Sequence, residues 1–115
     1  MKVNMNYKKT IFIDLDGVLN QYDGVYDKNT IPPIKEGAKD FLQKLYNSYE
    51  IKIFTTRNRM LTAKWLIRNN VDEFISDITN IKEPAFIYID DRCINFKGDY
   101  PKLYDEISEF KVWYK

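Results

Sequence analysis

The sequence predicts a single α/β domain in which one parallel sheet carries helices on both faces. Three observations support that expectation. Short apolar runs alternate with segments whose apolar residues recur at helical spacing, the pattern of strand–helix–strand units. Two of the apolar runs end in acids and one ends in hydroxyls. The chain has 115 residues, which suits one domain that buries roughly two-thirds of its unfolded surface. Scaling gives an expected radius of gyration of about 13 Å.

The elements follow in order. Thr10-Ile11-Phe12-Ile13-Asp14-Leu15 reads as a buried strand ending in acid. Residues 17–31 break the alternation. Within them, Tyr22-Asp23-Gly24-Val25 fits a two-residue turn flanked by Tyr22 and Tyr26, which predicts a small β-hairpin flap after the first strand. Ile34, Ala38, Phe41, Leu42 and Leu45 form a one-sided stripe, so a helix is expected from Pro32-Pro33 onward. A second strand spans 50–55 and a second helix 60–69, with Asn69-Asn70 as its stop. Phe74-Ile75-Ser76 suits a short third strand. Residues 85–89 form a strong strand that closes in Asp90-Asp91. Pro101 suits the first turn of a last helix carrying Leu103 and Ile107. Residues 110–115 fit a helix end or an edge strand equally. No repeat or linker divides 1–115.

Composition narrows the chemistry. Eighteen basic and 17 acidic residues leave a net charge of +1, so bulk attraction to nucleic acid or an anionic membrane is not expected. The absence of histidine removes Ser-His-Asp and Cys-His catalysis and histidine metal ligation. One cysteine, Cys93, allows neither an internal disulfide nor a zinc cluster, and it reads as packing. Carboxylates, lysines and hydroxyls remain, and their natural metal is Mg²⁺ or Ca²⁺. No apolar run reaches the roughly 20 residues of a membrane span, and the expected setting is the reduced cytoplasm.

Ligands of an open parallel sheet bind beyond the carboxyl ends of its strands. The polar residues flanking the runs therefore share one rim: Asp14 and Asp16, then Thr55, Thr56 and Arg57, then Lys82, then Asp90 and Asp91. Acids for a hard cation beside hydroxyls and cations point to metal plus phosphate. Blander readings stand beside this one. Thr55 or Thr56 would cap the following helix, Arg59 would be a solvated charge, and Lys82 a loop lysine. Tyr22 and Tyr26 would pack the flap, and Trp65 and Trp113 would serve the core or a partner.

In this order the motifs resemble the haloacid-dehalogenase-like (HAD) phosphohydrolase superfamily. Asp14-Leu15-Asp16-Gly17-Val18 matches its first motif, Thr55 its second, Lys82 its third and Asp90-Asp91 its fourth. Lys82 stands nearer to Asp90 than in many members. The resemblance implies a Rossmann-like sheet and a phosphomonoester hydrolase. Asp14 would be the nucleophile, Asp16 the general acid/base, Thr55 and Lys82 phosphate-binding groups, and Arg57 a substrate contact. Mg²⁺ would be held directly by Asp14, Asp90 and the backbone carbonyl of Asp16, with Asp91 behind them or bound through water. Neither 17–31 nor 58–81 can hold a cap domain, so the likeness is to a small capless branch with an open site. An open site favours a large phosphorylated substrate, nucleic acid among the candidates, or a small one gripped with a second subunit. Nine tyrosines leave homo-oligomerisation open. A receiver domain shares the residue types but places its acid pair after the first strand and its Lys last, the reverse of the order here. Phosphoryl transfer to another acceptor, and a non-catalytic Mg²⁺- or phosphate-binding module, are the alternatives.

Overall fold

The structure, a computed structural model, describes residues 7–113. Four parallel strands form one sheet: β1 (Lys9–Asp14), β2 (Tyr49–Phe54), β3 (Ile75–Thr79) and β4 (Ile87–Ile89), in the order β3-β2-β1-β4. The steps from β1 to β2 and from β2 to β3 run the same way across the sheet. Right-handed crossovers then put α1 (Ala38–Tyr46) and α2 (Arg59–Arg68) on the same face. Side-chain alternation agrees. Ile11, Ile13, Ile51 and Ile53 lie side by side in register and pack with Leu42 of α1 and with Trp65 and Leu66 of α2.

The opposite face is built differently. Phe12 is 1% exposed there, stacked on Tyr88 at 5.0 Å between ring centres and edge-on to Phe54 at 5.9 Å. The connection from β3 back to β4, residues 80–86, crosses this face without a helix. Glu83 pairs with Lys52 at 3.6 Å and its amide donates to the Tyr88 hydroxyl at 3.1 Å, while that hydroxyl donates to the Glu83 carbonyl. The α/β class and the parallel sheet stand as expected. The covering differs in detail, because 80–86 contains Pro84 and is shorter than a helical crossover requires. The third helix, α3 (Tyr100–Glu109), buries no side chain. With one face covered by helices and the other by an extended strap, the radius of gyration is 15.9 Å, above the expected value.

The expected hairpin flap is a loop. Asn20 and Ile34 form an antiparallel bridge at its base, where Gln21 donates to Pro33 and Lys35 to Leu19, each at 2.9 Å. The Asp-Gly turn is present, with Asp23 Oδ1 accepting from the Val25 amide at 3.0 Å. No strands flank it, and Pro32-Pro33 supply no N–H groups for a ladder. This bridge occupies Ile34, so α1 starts later than the stripe predicts. Gly37, at φ 86°, turns the chain into the helix. No inserted domain follows β1 or β2 among the described residues. Asn70, at φ 58°, stops the chain after α2, as the Asn pair predicts. Residues 110–113 continue beyond α3 outside helix and strand, and 114–115 lie outside the described residues. No helix among the described residues is long and apolar enough to cross a membrane.

Candidate functional site

The register of β1 on β4 pairs Ile13 with Ile89, so Asp14 and Asp90 leave adjacent strands side by side. Asp91 turns in beside them. One carboxylate oxygen from each of Asp14, Asp90 and Asp91 lies within 4.8 Å of the others. Burial, and then the charges of Asp90 and Asp91, push the Asp14 carboxyl up to about 7, against a lowering bond from the Leu15 amide. Asp91 is also raised, first by burial and then by its hydrogen bond to Asp90. Its Oδ2 is buried without a hydrogen-bond partner. Asp90 is exposed, and its Oδ1 accepts from the Arg92 amide at 2.8 Å.

Past Asp14 the chain leaves strand geometry at once. The Leu15 carbonyl accepts from the amides of Val18, Leu19 and Asn20 at 3.4, 3.0 and 3.3 Å, and Gly17 takes φ 83°. Leu15 and Leu19 anchor this turn in the core. The turn carries Asp16 away from the acid cluster. Asn20 donates to Asp16 Oδ1 at 2.9 Å, and Arg57 Nε donates to both oxygens at 3.1 and 2.9 Å.

The second strand delivers Thr55 and Arg57. The Thr55 amide donates to the Thr79 carbonyl at 2.9 Å, and its hydroxyl oxygen accepts from the Arg57 amide at 3.2 Å. Neither threonine caps α2; Asn58 does, accepting from the Leu61 amide at 2.9 Å. Arg57 is buried, with a side chain 1% exposed, rather than open to a substrate. Its Nη1 donates to the carbonyls of Asp27 and Thr30 at 2.9 and 3.4 Å, and Tyr26 lies over the guanidinium at 4.6 Å. The sequence places Arg57 on the rim and gives no sign of its bond to Asp16.

Lys82 does not join the acids. Its ammonium lies over the Tyr88 ring at 5.5 Å on the strap, and it forms no hydrogen bond or ion pair among the described residues. Arg59 pairs with Asp77 at the surface, as the bland reading expects. Cys93 is exposed rather than packed, because the turn after β4 faces outward. Trp65 belongs to the core and donates to the Pro32 carbonyl at 3.0 Å. Trp113 donates to the Gly17 carbonyl at 2.8 Å beneath the site turn.

Comparison with known proteins adds the fold and nothing finer. No family model matches the chain, and no curated protein matches it. A solved structure described as that of a conserved protein coded by a locus from Bacteroides thetaiotaomicron is similar. The two share 18% identity and a TM-score of 0.58 over 93% of this chain and 95% of that one. At that identity the likeness shows a shared fold alone.

Proposed function

We propose that this protein is a Mg²⁺-dependent phosphomonoester hydrolase of the HAD type, working through an aspartyl-phosphate on Asp14. The observation that supports this most is the convergence of Asp14, Asp90 and Asp91 at the carboxyl ends of two neighbouring strands. The donors are all oxygen, which suits a hard divalent cation. The orphaned Asp91 Oδ2 and the raised Asp14 and Asp91 describe negative charge without compensation, which such a cation supplies. Asp14, Asp90 and Asp91 would hold it, with the Asp16 carbonyl. When bound, it offsets the repulsion between a carboxylate nucleophile and a phosphate dianion.

The chain's own residues do the rest. An Asp14 oxygen attacks phosphorus as the bond to the leaving oxygen breaks, and Asp16 gives that oxygen a proton. Asp16 then takes a proton from the water that cleaves the acyl phosphate. Thr55 donates its hydroxyl to a phosphoryl oxygen. Lys82 stabilises developing charge once it swings from Tyr88 toward Asp14. The substrate is a phosphomonoester, small or macromolecular, with nucleic acid only as substrate. An open site is consistent with a large substrate or with help from a second copy of the chain. The setting proposed is the cytoplasm.

Phosphate release from sugar phosphates, nucleotides, 3′-phosphorylated oligonucleotides and phosphopeptides tests this reading. Turnover that needs Mg²⁺ and disappears in Asp14→Asn supports it. Absence of Mg²⁺-dependent turnover on every substrate, or equal turnover in the variant, contradicts it. The position of Lys82 on Tyr88 favours a second reading, a cation- and phosphate-binding module without turnover. Mg²⁺ binding with no phosphate release would select that one.

A further inference from the structure

Arg57 is bonded in two directions. Its Nε holds the Asp16 carboxylate, and its Nη1 holds the carbonyls of Asp27 and Thr30 in the loop that follows β1. Both contacts come from a guanidinium 1% exposed, so neither is a surface pairing that solvent would screen away. Tyr26, from the same loop, covers the guanidinium at 4.6 Å. The loop's other anchors lie toward its ends: the Tyr22 amide donates to Asn20 Oδ1, the Gln21 amide to the Pro33 carbonyl, Trp65 to the Pro32 carbonyl, and Ile31 packs on the core. The loop carries no ladder beyond the Asn20–Ile34 bridge, and Val25 and Tyr26 are 78% and 52% exposed.

We propose that Arg57 is a positioning residue that ties the carboxylate of Asp16 to the seating of the 21–33 loop, so that each is ordered by the other. This rests on the general acid/base role given to Asp16 above. The planar guanidinium fixes both partners at once, because its donors leave in set directions. Loosening the loop releases Asp16, and removing the Asp16 charge loosens the loop; coupling of this kind is reciprocal. A lysine offers a point charge and cannot span both partners in the same geometry. Asn20 keeps its own bond to Asp16, so the carboxylate is loosened and not set free when Arg57 is lost.

Two measurements on the full chain test the tie. Amide hydrogen exchange compares wild type with Arg57→Lys and Asp16→Asn. Faster exchange at 27–31 in both variants, with β1 and β2 unchanged, is the expected result. Asp16→Asn leaves the buried Arg57 charge without its carboxylate, so unchanged exchange in β1 and β2 is the control that each variant is folded. The second measurement compares Arg57→Lys on 4-nitrophenyl phosphate, whose leaving group needs no proton, with an alkyl phosphate, whose leaving group does. A loss of about tenfold or more in kcat on the alkyl ester, and a several-fold smaller loss on the nitrophenyl ester, is expected from displaced acid catalysis. Equal losses on the two esters, or loop exchange unchanged in either variant, would overturn the proposal. A wild-type protein without turnover contradicts the proposed function instead, and exchange alone then decides whether Arg57 couples loop and carboxylate.

Discussion

Asp14 and Asp90 end up as neighbours because β1 and β4 pair in parallel with Ile13 opposite Ile89. Residues far apart in the chain thus place carboxylate oxygens within 4.8 Å of one another, with Asp91 as the third. Two strands ending in acid would repel in isolation; burial, and then that repulsion, pushes the Asp14 carboxyl up to about 7.

This rise has a consequence for stability. The Asp14 carboxyl, at 3.8 when unperturbed, ionises in the metal-free fold only at about 7. Its folded pKa lies above its unfolded one, so the fold is favoured most below about 4. That advantage is lost as pH rises toward 7 and is absent above it. Asp14→Asn removes the titration. Thermal melts in chelator should show the variant gaining on wild type between pH 4 and 7, and melting a few degrees higher at pH 8. A variant that melts lower than wild type at pH 8 would contradict the electrostatic strain.

Gly37 isolates a backbone effect. It sits at φ 86°, and a Cβ there would meet nothing within 4 Å. Gly37→Ala therefore costs conformation without a clash, about 1 kcal/mol by urea unfolding, and Gly37→Asn costs less. A neutral alanine variant would show that α1 can start without a left-handed residue.

The strap on the second face is held by two kinds of contact of unequal worth. Lys52–Glu83 is an open ion pair at 3.6 Å with Glu83 46% exposed, and Glu83→Ala should cost under about 0.5 kcal/mol. The Tyr88 hydroxyl bonds the Glu83 backbone in both directions, and Tyr88→Phe should cost about 1 kcal/mol. Urea midpoints compare them, and the reverse ranking would mean that charge secures the strap.

Much of this was legible in the residues, and what escaped has physical causes. Apolar runs located all four strands, most plainly β1 and β2, whose buried positions carry their signal locally. Strand ends located the rim, since parallel pairing brings those ends together. The helix over 38–46 began later than its stripe, because Ile34 is claimed by a bridge to Asn20, a long-range pairing that periodicity does not register. The flap failed as a hairpin for a similar reason: its turn chemistry is present, but its flanks have no partner strand. The bond between Asp16 and Arg57 spans forty-one positions, and the placing of Lys82 on Tyr88 depends on a crossover that has no helix. Both are tertiary facts.

Calorimetric titration of Mg²⁺ into wild type and Asp90→Asn at pH 8 tests the central proposition most directly, that three carboxylates form one cation site. Asp90 is exposed, so its replacement removes a ligand without disturbing the core. The expected result is a single site in wild type whose affinity falls about tenfold or more in the variant. No binding in wild type, or the same affinity in both proteins, would contradict it.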